Sequence, residues 1–407
     1  MKCRHCGNTG FIPFANLENC PPSNAMLTEE ALGAPEVYYP LVVEVCDRCF
    51  LVQVDEHKKA IDIFDAGYTY FSSFSKSWLA HCERFADAAI LRFGLGPQSR
   101  VVEVASNDGY LLQFFARRGI SVLGVEPTAN TAKVAIDKGI PTIVDFFGRA
   151  FADAQLAGQA DLICGNNVFA HVPDINDFTA GLKAALAPGG VVSLEFPHLL
   201  RLIEEVQFDT IYHEHFSYLS LATTIAIFEA QGLKVFDVER LPTHGGSLRV
   251  FGAHAEDPAR TSSAAVDAVL ADEERGGLRG REVYQTFQPR IDRIRADFLH
   301  FLLDQRSAGK TVAGYGAAAK GNTLLNYCGV KGNELLSFVA DLSPHKQGRF
   351  LPGSHIPVVA PDVIDARRPD FIVIFPWNLQ QEVIEQLAHV REWGARFVVA
   401  IPELRIL

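Results

Sequence analysis

Chemistry concentrates in DTIYHEHFSYLS, residues 209–220, where Tyr212, His213, Glu214 and His215 follow one another. An imidazole titrates near neutral pH, so a histidine beside a carboxylate can take a proton and give it back. The same residues also fit a metal site, although His-x-His with one glutamate has no further ligand close in sequence, or a solvated loop. A strand would place Tyr212 and Glu214 on one face and both histidines on the other; a helix would set Tyr212 beside His215. The next run, SLATTIAIFEAQG, reads as a helix with Ser220 as N-cap and Gly232 beyond its end. Residues 209–219 are therefore expected to form an irregular loop that aims several side chains at one point.

A second constellation is Cys3, Cys6, Cys46 and Cys49, two Cys-x-x-Cys pairs. Four thiolates can close a tetrahedral shell around one Zn(II), which leaves no place for water and makes the metal structural. The strand–helix context of a redox dithiol is missing here. Cys20, between the pairs, is a bystander, and YYPLVVEVCDRC reads as a strand running into the second pair.

These residues need a scaffold, and the chain from residue 75 supplies one. SKSWLAHCERFADAAILRFG has helical periodicity and ends at glycine. RVVEVAS, SVLGVEP, PTIVDFF, DLICGNNVF and GGVVSLEFP then read as strands, with GYLLQFFARRG and ANTAKVAIDKG as helices among them. Repeated β-α units of this kind build an α/β fold with a parallel sheet. LKVFDVERL and SLRVFGAH close it as an antiparallel pair around His-Gly-Gly. Residues 255–308 form a helical connector, expected to break or bend near Pro289. KTVAGYGAAAKGNTLLNY opens a second, smaller α/β domain, with LLSFVADLSP, DFIVIFP and RFVVAIPEL as further strands.

In such sheets ligands sit beyond the carboxyl ends of the strands. The first strand is followed by Glu103, Ser106, Asn107, Asp108 and Gly109, the second by Glu126 and Pro127, the third by Asp145 and Phe146, and the fourth by Asn166 and Asn167. An acid ending the second strand can accept from two ribose hydroxyls, and Asp145 with Phe146 can hold an adenine. A dinucleotide oxidoreductase would need G-x-G-x-x-G so that its backbone approaches a pyrophosphate. Here the first loop has one glycine and acidic neighbours, which suit a cationic, amino-acid-bearing nucleoside, S-adenosylmethionine (SAM).

Composition agrees with that class. The chain has 407 residues, enough for two or three domains, with 48% hydrophobic and 21% charged residues. A formal charge of −11 argues against a nucleic-acid footprint. No apolar run approaches the ~20 residues of a membrane span. MKCRHCGNTG lacks a secretory apolar stretch, so a cytoplasmic setting with reduced cysteines is expected.

VVEVASNDGYLLQFF, VLGVEPTAN, YHEHFSYLS and HGGSLRVF, with the cysteine pairs and GYGAAAKGNTLLNY, resemble the three-domain SAM-dependent sugar C-methyltransferases of antibiotic deoxysugar pathways. The likeness covers the whole chain and is close to those that methylate C-3′ in D-tetronitrose biosynthesis. It implies a zinc-binding N-terminal domain (1–74), a class I methyltransferase domain with a Rossmann-like sheet (75–254), and a helical connector with a second Rossmann-like domain that binds nucleotide-sugar (255–407). It further implies Tyr212, Glu214 and His215 at the methylating centre, with His215 as base and Glu214 tuning it. His171 and either Tyr68 or Tyr70 would donate to the enolate oxygen. The implied substrate is a dTDP-linked keto-sugar met by His244, Gly245, Gly246, Ser247, Arg249, Lys320 and Asn322, with Lys346 and Arg349 as weaker candidates. A monomer is expected. The alternatives are an O- or N-methyltransferase, which needs no carbon base, a nicotinamide oxidoreductase using the C-terminal Gly-x-Gly, and a non-catalytic zinc module.

Overall fold

The computed structural model describes residues 1–64 and 70–407. The chain opens with β1 (Phe11–Cys20), β2 (Tyr39–Cys46) and β3 (Val52–Val54). Two compact units follow from its contacts. The first comprises Met1–Phe11, Val45–Leu200 and His215–Gly280; the second comprises Ile12–Glu44, Arg201–Glu214 and Arg281–Leu407.

The first unit is built on β4 (Arg100–Val104), β5 (Ser121–Val125), β6 (Thr142–Ile143), β7 (Ala160–Asn166) and β8 (Leu186–Pro197). After the short β9 (Ser217–Tyr218), which pairs antiparallel with β3, come β10 (Leu233–Leu241) and β11 (Ser247–His254). The seven-stranded sheet runs β10-β11-β8-β7-β4-β5-β6. Its middle strands are near-continuous apolar runs because helices cover both faces. Strands β4 to β8 are parallel, and β10 and β11 form the expected antiparallel closure.

Local signals set the helices that carry site residues. Ser75 Oγ accepts from Trp78 N at the start of Lys76–Phe93, and Gly94 ends it in the left-handed region. Ser220 caps Leu221–Ala230 through Thr223 N at 3.1 Å, as the sequence predicts. A carboxylate also supports this end: Glu273 accepts from Leu221 N and Ala222 N while meeting His198 Nε2 at 2.7 Å. The strand predicted over 141–147 is only two residues long. It is the sheet edge and pairs only with Gly124 and Val125, so Asp145 and Phe146 lie exposed beyond it.

In the second unit a parallel sheet of β12 (Val312–Tyr315), β13 (Val339–Ala340), β14 (Val358–Val359), β15 (Phe371–Ile374) and β16 (Arg396–Val399) ends in antiparallel β17 (Arg405–Ile406). Its order is β14-β13-β12-β15-β16-β17. The preceding helices, Glu282–Gln285 and Phe287–Ser307, part at Thr286. Pro289 then falls in the first turn of the longer helix, where a missing N–H costs nothing, so the expected break sits just ahead of the proline. Phe14 stacks on Phe287 with centroids 4.5 Å apart and meets Tyr284 edge-on. Among the described residues no helix is long and apolar enough to cross a membrane.

The Gly-rich turn after β12 has a packing cause. A Cβ on Gly314 or Gly321 would come within 2.5 or 2.6 Å of the Phe375 ring, and Gly316, at φ 86°, backs onto Pro376. Its glycines make room for Phe375-Pro376. Gly321→Ala is expected to destabilise the protein by about 1–3 kcal/mol through overpacking, read as a lower urea midpoint.

Candidate active site and zinc centre

The two cysteine pairs fold into matching knuckles. Gly7 N returns to Cys3 O and Phe50 N to Cys46 O, both at 2.9 Å, and both residues have positive φ. Cys3 and Cys49 Sγ lie 3.5 Å apart, Cys6 and Cys46 Sγ 3.6 Å, and all four fall within 4.8 Å of one another. A tetrahedral Zn–S shell of about 2.3 Å bonds needs sulfur separations of about 3.8 Å, so the set fits zinc and closes its coordination. Cys20 is outside it and points to Leu17 O.

The knuckle reaches the titratable loop through Arg4. Its guanidinium donates to the carbonyls of Phe216 and Val54. Phe216 N in turn donates to Ala170 O at 2.8 Å. The neighbours of those two residues, His215 and His171, have ring centroids 4.6 Å apart in an edge-to-face arrangement. His215 is 9% exposed.

At the carboxyl edge of the sheet, the turn after β4 is tight, with Ala105, Asn107 and Gly109 all at positive φ. Glu126 ties it to the end of β5, for its carboxylate accepts from Asn107 N and Thr128 N, each at 2.8 Å, and from Thr128 Oγ1. The acid expected for a ribose thus spends bonds on the protein, and burial raises its pKa. Half-buried Pro127 continues that turn. Asn107 spends its side chain on Tyr70 O and Ser72 N, bracing the segment after the undescribed stretch. Glu103 is fully buried, and desolvation drives its carboxyl well above the usual range against the pull of Tyr110. Ser106 Oγ, one oxygen of Asp108, both side-chain polar atoms of Asn166 and Asn167 Oδ1 are buried without a partner among the described residues. Orphaned polar atoms gathered at strand ends fit a polar ligand such as SAM. Tyr70 is exposed. Tyr68 lies outside the described residues.

Composition and spacing give little notice of Glu195 and His81. Glu195, 0% exposed at the end of β8, accepts from Arg249 Nη2 at 2.6 Å and from Thr243 Oγ1 at 2.8 Å, and lies 2.9 Å from His81 Nε2. Burial pushes its carboxyl up, but His81 and Arg249 outweigh this and hold it below the usual range. Trp78 stacks on His81 and meets His244 edge-on, next to Thr243. His244, Gly245 and Gly246 all have positive φ, so Thr243 holds a strained turn to the sheet. Ser247 Oγ closes that turn on Thr243 O. Arg249 corrects its expected role: 5% exposed and paired with Glu195 and Glu239, its charge is neutralised within the sheet and is not offered to a phosphate. A glutamate inside the apolar strand GGVVSLEFP was the available clue.

Residues 209–219 are irregular apart from the single turn Phe208–Thr210 and the two residues of β9. Glu214 accepts from Asn24 Nδ2 at 2.7 Å, and His213 Nε2 lies 3.2 Å from Pro40 O. Tyr212 is half-buried. In the second unit, Lys320 opens helix Ala319–Tyr327, whose N-cap Ala318 offers no side-chain acceptor, and Asn322 is 1% exposed with both side-chain polar atoms unpartnered among the described residues. Lys346 is spent on Ala317 O and Asp341.

The parallel sheet with ligand-seeking groups at its carboxyl edge, carrying a four-cysteine knuckle, defines a SAM-dependent methyltransferase with a structural zinc module. Comparison with known proteins narrows this. Residues 3–64 match a zinc binding domain, 78–238 a methyltransferase domain, and 242–402 a C-methyltransferase C-terminal domain. The chain is 37% identical over 408 residues to C-methyltransferase NovU of Streptomyces niveus, covering 100% of this chain and 96% of that one. It belongs to that family, the SAM-dependent C-methyltransferases. A ubiquinone biosynthesis O-methyltransferase of Bradyrhizobium sp. (strain ORS 278) is 28% identical over 116 residues, 26% of this chain and 46% of its own. Magnesium protoporphyrin IX methyltransferase (ChlM) from Synechocystis PCC 6803 with bound SAM matches 44% of this chain and 81% of its own, at 15% identity and a TM-score of 0.34.

Elemental analysis is expected to find one zinc per chain, lost in Cys46→Ser together with protection of residues 1–64 from protease. Arg249→Leu should cost about 3–5 kcal/mol by stranding the Glu195 charge, measured by urea unfolding, and the double variant with Glu195→Gln should recover part of it.

Proposed function

We propose that the enzyme methylates carbon in a keto-deoxysugar linked to dTDP, at C-3′ of a 3-amino-4-keto-2,3,6-trideoxy sugar. The observation that carries this reading is the pair of imidazoles, half-buried His171 and buried His215, with ring centroids 4.6 Å apart, the first of them in the turn that follows β7. A carbon acid needs a base, whereas a hydroxyl or amine acceptor does not need a strong one. His215 takes the proton α to the carbonyl, which turns that carbon into a nucleophile. His171, with the hydroxyl of Tyr70 or Tyr68, donates to the oxygen where charge gathers. Glu214, anchored by Asn24, sets the imidazole of His215, and Tyr212 borders the sugar. SAM, when bound, supplies an electrophilic methyl group.

The cofactor is assigned to Ser106, Asp108, Asn166 and Asn167, supported by their unpartnered buried atoms, with Asp145 and Phe146 toward the adenine. Glu103, Asn107, Gly109, Glu126 and Pro127 shape that loop. Lys320 and Asn322 are assigned to the diphosphate, where orphan N–H groups at a helix start add to the lysine. The turn His244–Ser247 contributes backbone to the substrate.

With methyl-labelled SAM and a panel of dTDP-4-keto sugars, NMR should find the new methyl on carbon. His215→Asn should lower kcat about 10²–10⁴-fold, leave SAM affinity unchanged and abolish exchange of the substrate α-hydrogen with D₂O in the absence of SAM. Methyl on oxygen or nitrogen, or exchange that survives in His215→Asn, would overturn the reading.

A further inference from the structure

Asp209 opens the 209–220 segment, and none of the chemistry above uses it. It sits in the turn Phe208–Thr210, is 2% exposed, and accepts from Trp377 Nε1 at 2.7 Å. The indole that makes this bond also carries Lys320, whose Nζ lies 4.4 Å from its centroid. Lys320 Nζ donates to Asn378 Oδ1 at 3.0 Å, so the ammonium is held on an aromatic face and from one side. The turn is pinned to the lysine's own helix, for Thr323 Oγ1 donates to Ile211 O at 3.0 Å. The second oxygen of Asp209 has no partner among the described residues.

The electrostatics follow from this packing. Burial raises the Asp209 carboxyl to about 6, with Lys320 and then Trp377 pulling it back down. Burial lowers the Lys320 ammonium, and Asp209 pulls it back up. The groups facing Lys320 from the turn 208–210 and from Trp377–Leu379 are thus one carboxylate and two neutral side chains; among the described residues no other charge is found to act on it.

We propose that Asp209 is a positioning residue for Lys320: through the Trp377 indole it fixes the platform on which the ammonium rests, and its buried carboxylate keeps that ammonium charged to meet the diphosphate of the nucleotide-linked substrate. The proposal rests on the reading of Lys320 as a diphosphate contact, while its effect on the lysine can be measured apart from that reading. A surface lysine needs no such help. One packed against an indole and partly withdrawn from water loses charge more readily unless an opposite charge stays close. Direction matters equally, since a lysine free to swing would surrender rotamer freedom on every binding event.

The full-length protein tests this in two measurements. In the first, the rate at which an amine-specific acylating reagent modifies Lys320 is followed against pH by peptide mass spectrometry. Removing the carboxylate takes away the contribution that raises the lysine, so in Asp209→Asn the inflection should move down by about one pH unit or more. Trp377→Phe keeps the ring but loses the N–H that orients Asp209, and should move it in the same direction by less. It also carries the test should Asp209→Asn fail to fold. In the second, calorimetry with dTDP as probe should show most affinity lost in Lys320→Met, and the alkaline fall in affinity shifted down in Asp209→Asn in step with the labelling. Labelling inflections that coincide in wild type and both variants would overturn the role of Asp209. Unchanged dTDP affinity in Lys320→Met would instead overturn the diphosphate reading, and the labelling would still judge Asp209.

Discussion

The guanidinium of Arg4, seated between two zinc-binding cysteines, is the contact on which the placing of the His171–His215 pair leans. It is half-buried with its charge, which is costly unless donors find acceptors, and its two terminal nitrogens meet the carbonyls of Phe216 and Val54. Because Phe216 N holds Ala170 O, one side chain from the knuckle fixes the backbone beside both His215 and His171. A zinc shell closed by four sulfurs has no chemistry of its own to offer. Its contribution is rigidity: a short, otherwise irregular terminal segment becomes stiff enough to place an arginine against a loop more than two hundred positions away in sequence.

Glu195 does the corresponding work within the seven-stranded sheet. A carboxylate with no exposure must be fully supplied with donors, and the donors come from the helix Lys76–Phe93, from β11 and from the strained turn at Thr243. One helix and the contiguous turn and strand Thr243–His254, all distant in sequence from Glu195, are therefore registered to one strand end. The arrangement pays a desolvation penalty that an apolar trio would avoid, and what it secures is a defined position for the Thr243–Gly246 turn, beside the stack of Trp78, His81 and His244.

Much of this was legible in residue order. The cysteine spacing gave the metal set, and the runs LKVFDVERL and SLRVFGAH are β10 and β11 residue for residue. Apolar period, however, cannot see neighbours. PTIVDFF has the composition of a strand, yet only two of its residues have a partner to pair with at the edge, and LLSFVADLSP is likewise cut to Val339–Ala340. Arg249 shows the same limit in a charged residue. Its type announces a cation, but a single sequence says nothing of Glu195 and Glu239, which consume that charge. His81 gave no signal at all, being one polar residue on an amphipathic helix. Glycine type alone also hides a packing cause: Gly314, Gly316 and Gly321 clear space for Phe375 and Pro376.

The irregularity of residues 209–219 now has a physical reason. Any regular element would have grouped these side chains by its period, two by two on a strand or along one stripe of a helix. Instead each finds a different partner: Asp209 the Trp377 indole, His213 the carbonyl of Pro40, Glu214 the amide of Asn24, and His215 the ring of His171. Residues through Glu214 group with the second compact unit and those from His215 with the first. The stretch is thus one of the places where the chain passes from one folded unit to the other. Sequence could show that titratable groups crowd here. It could not show that the crowding comes from one segment serving several surroundings, of which a single imidazole pair has the form of a proton-transfer centre.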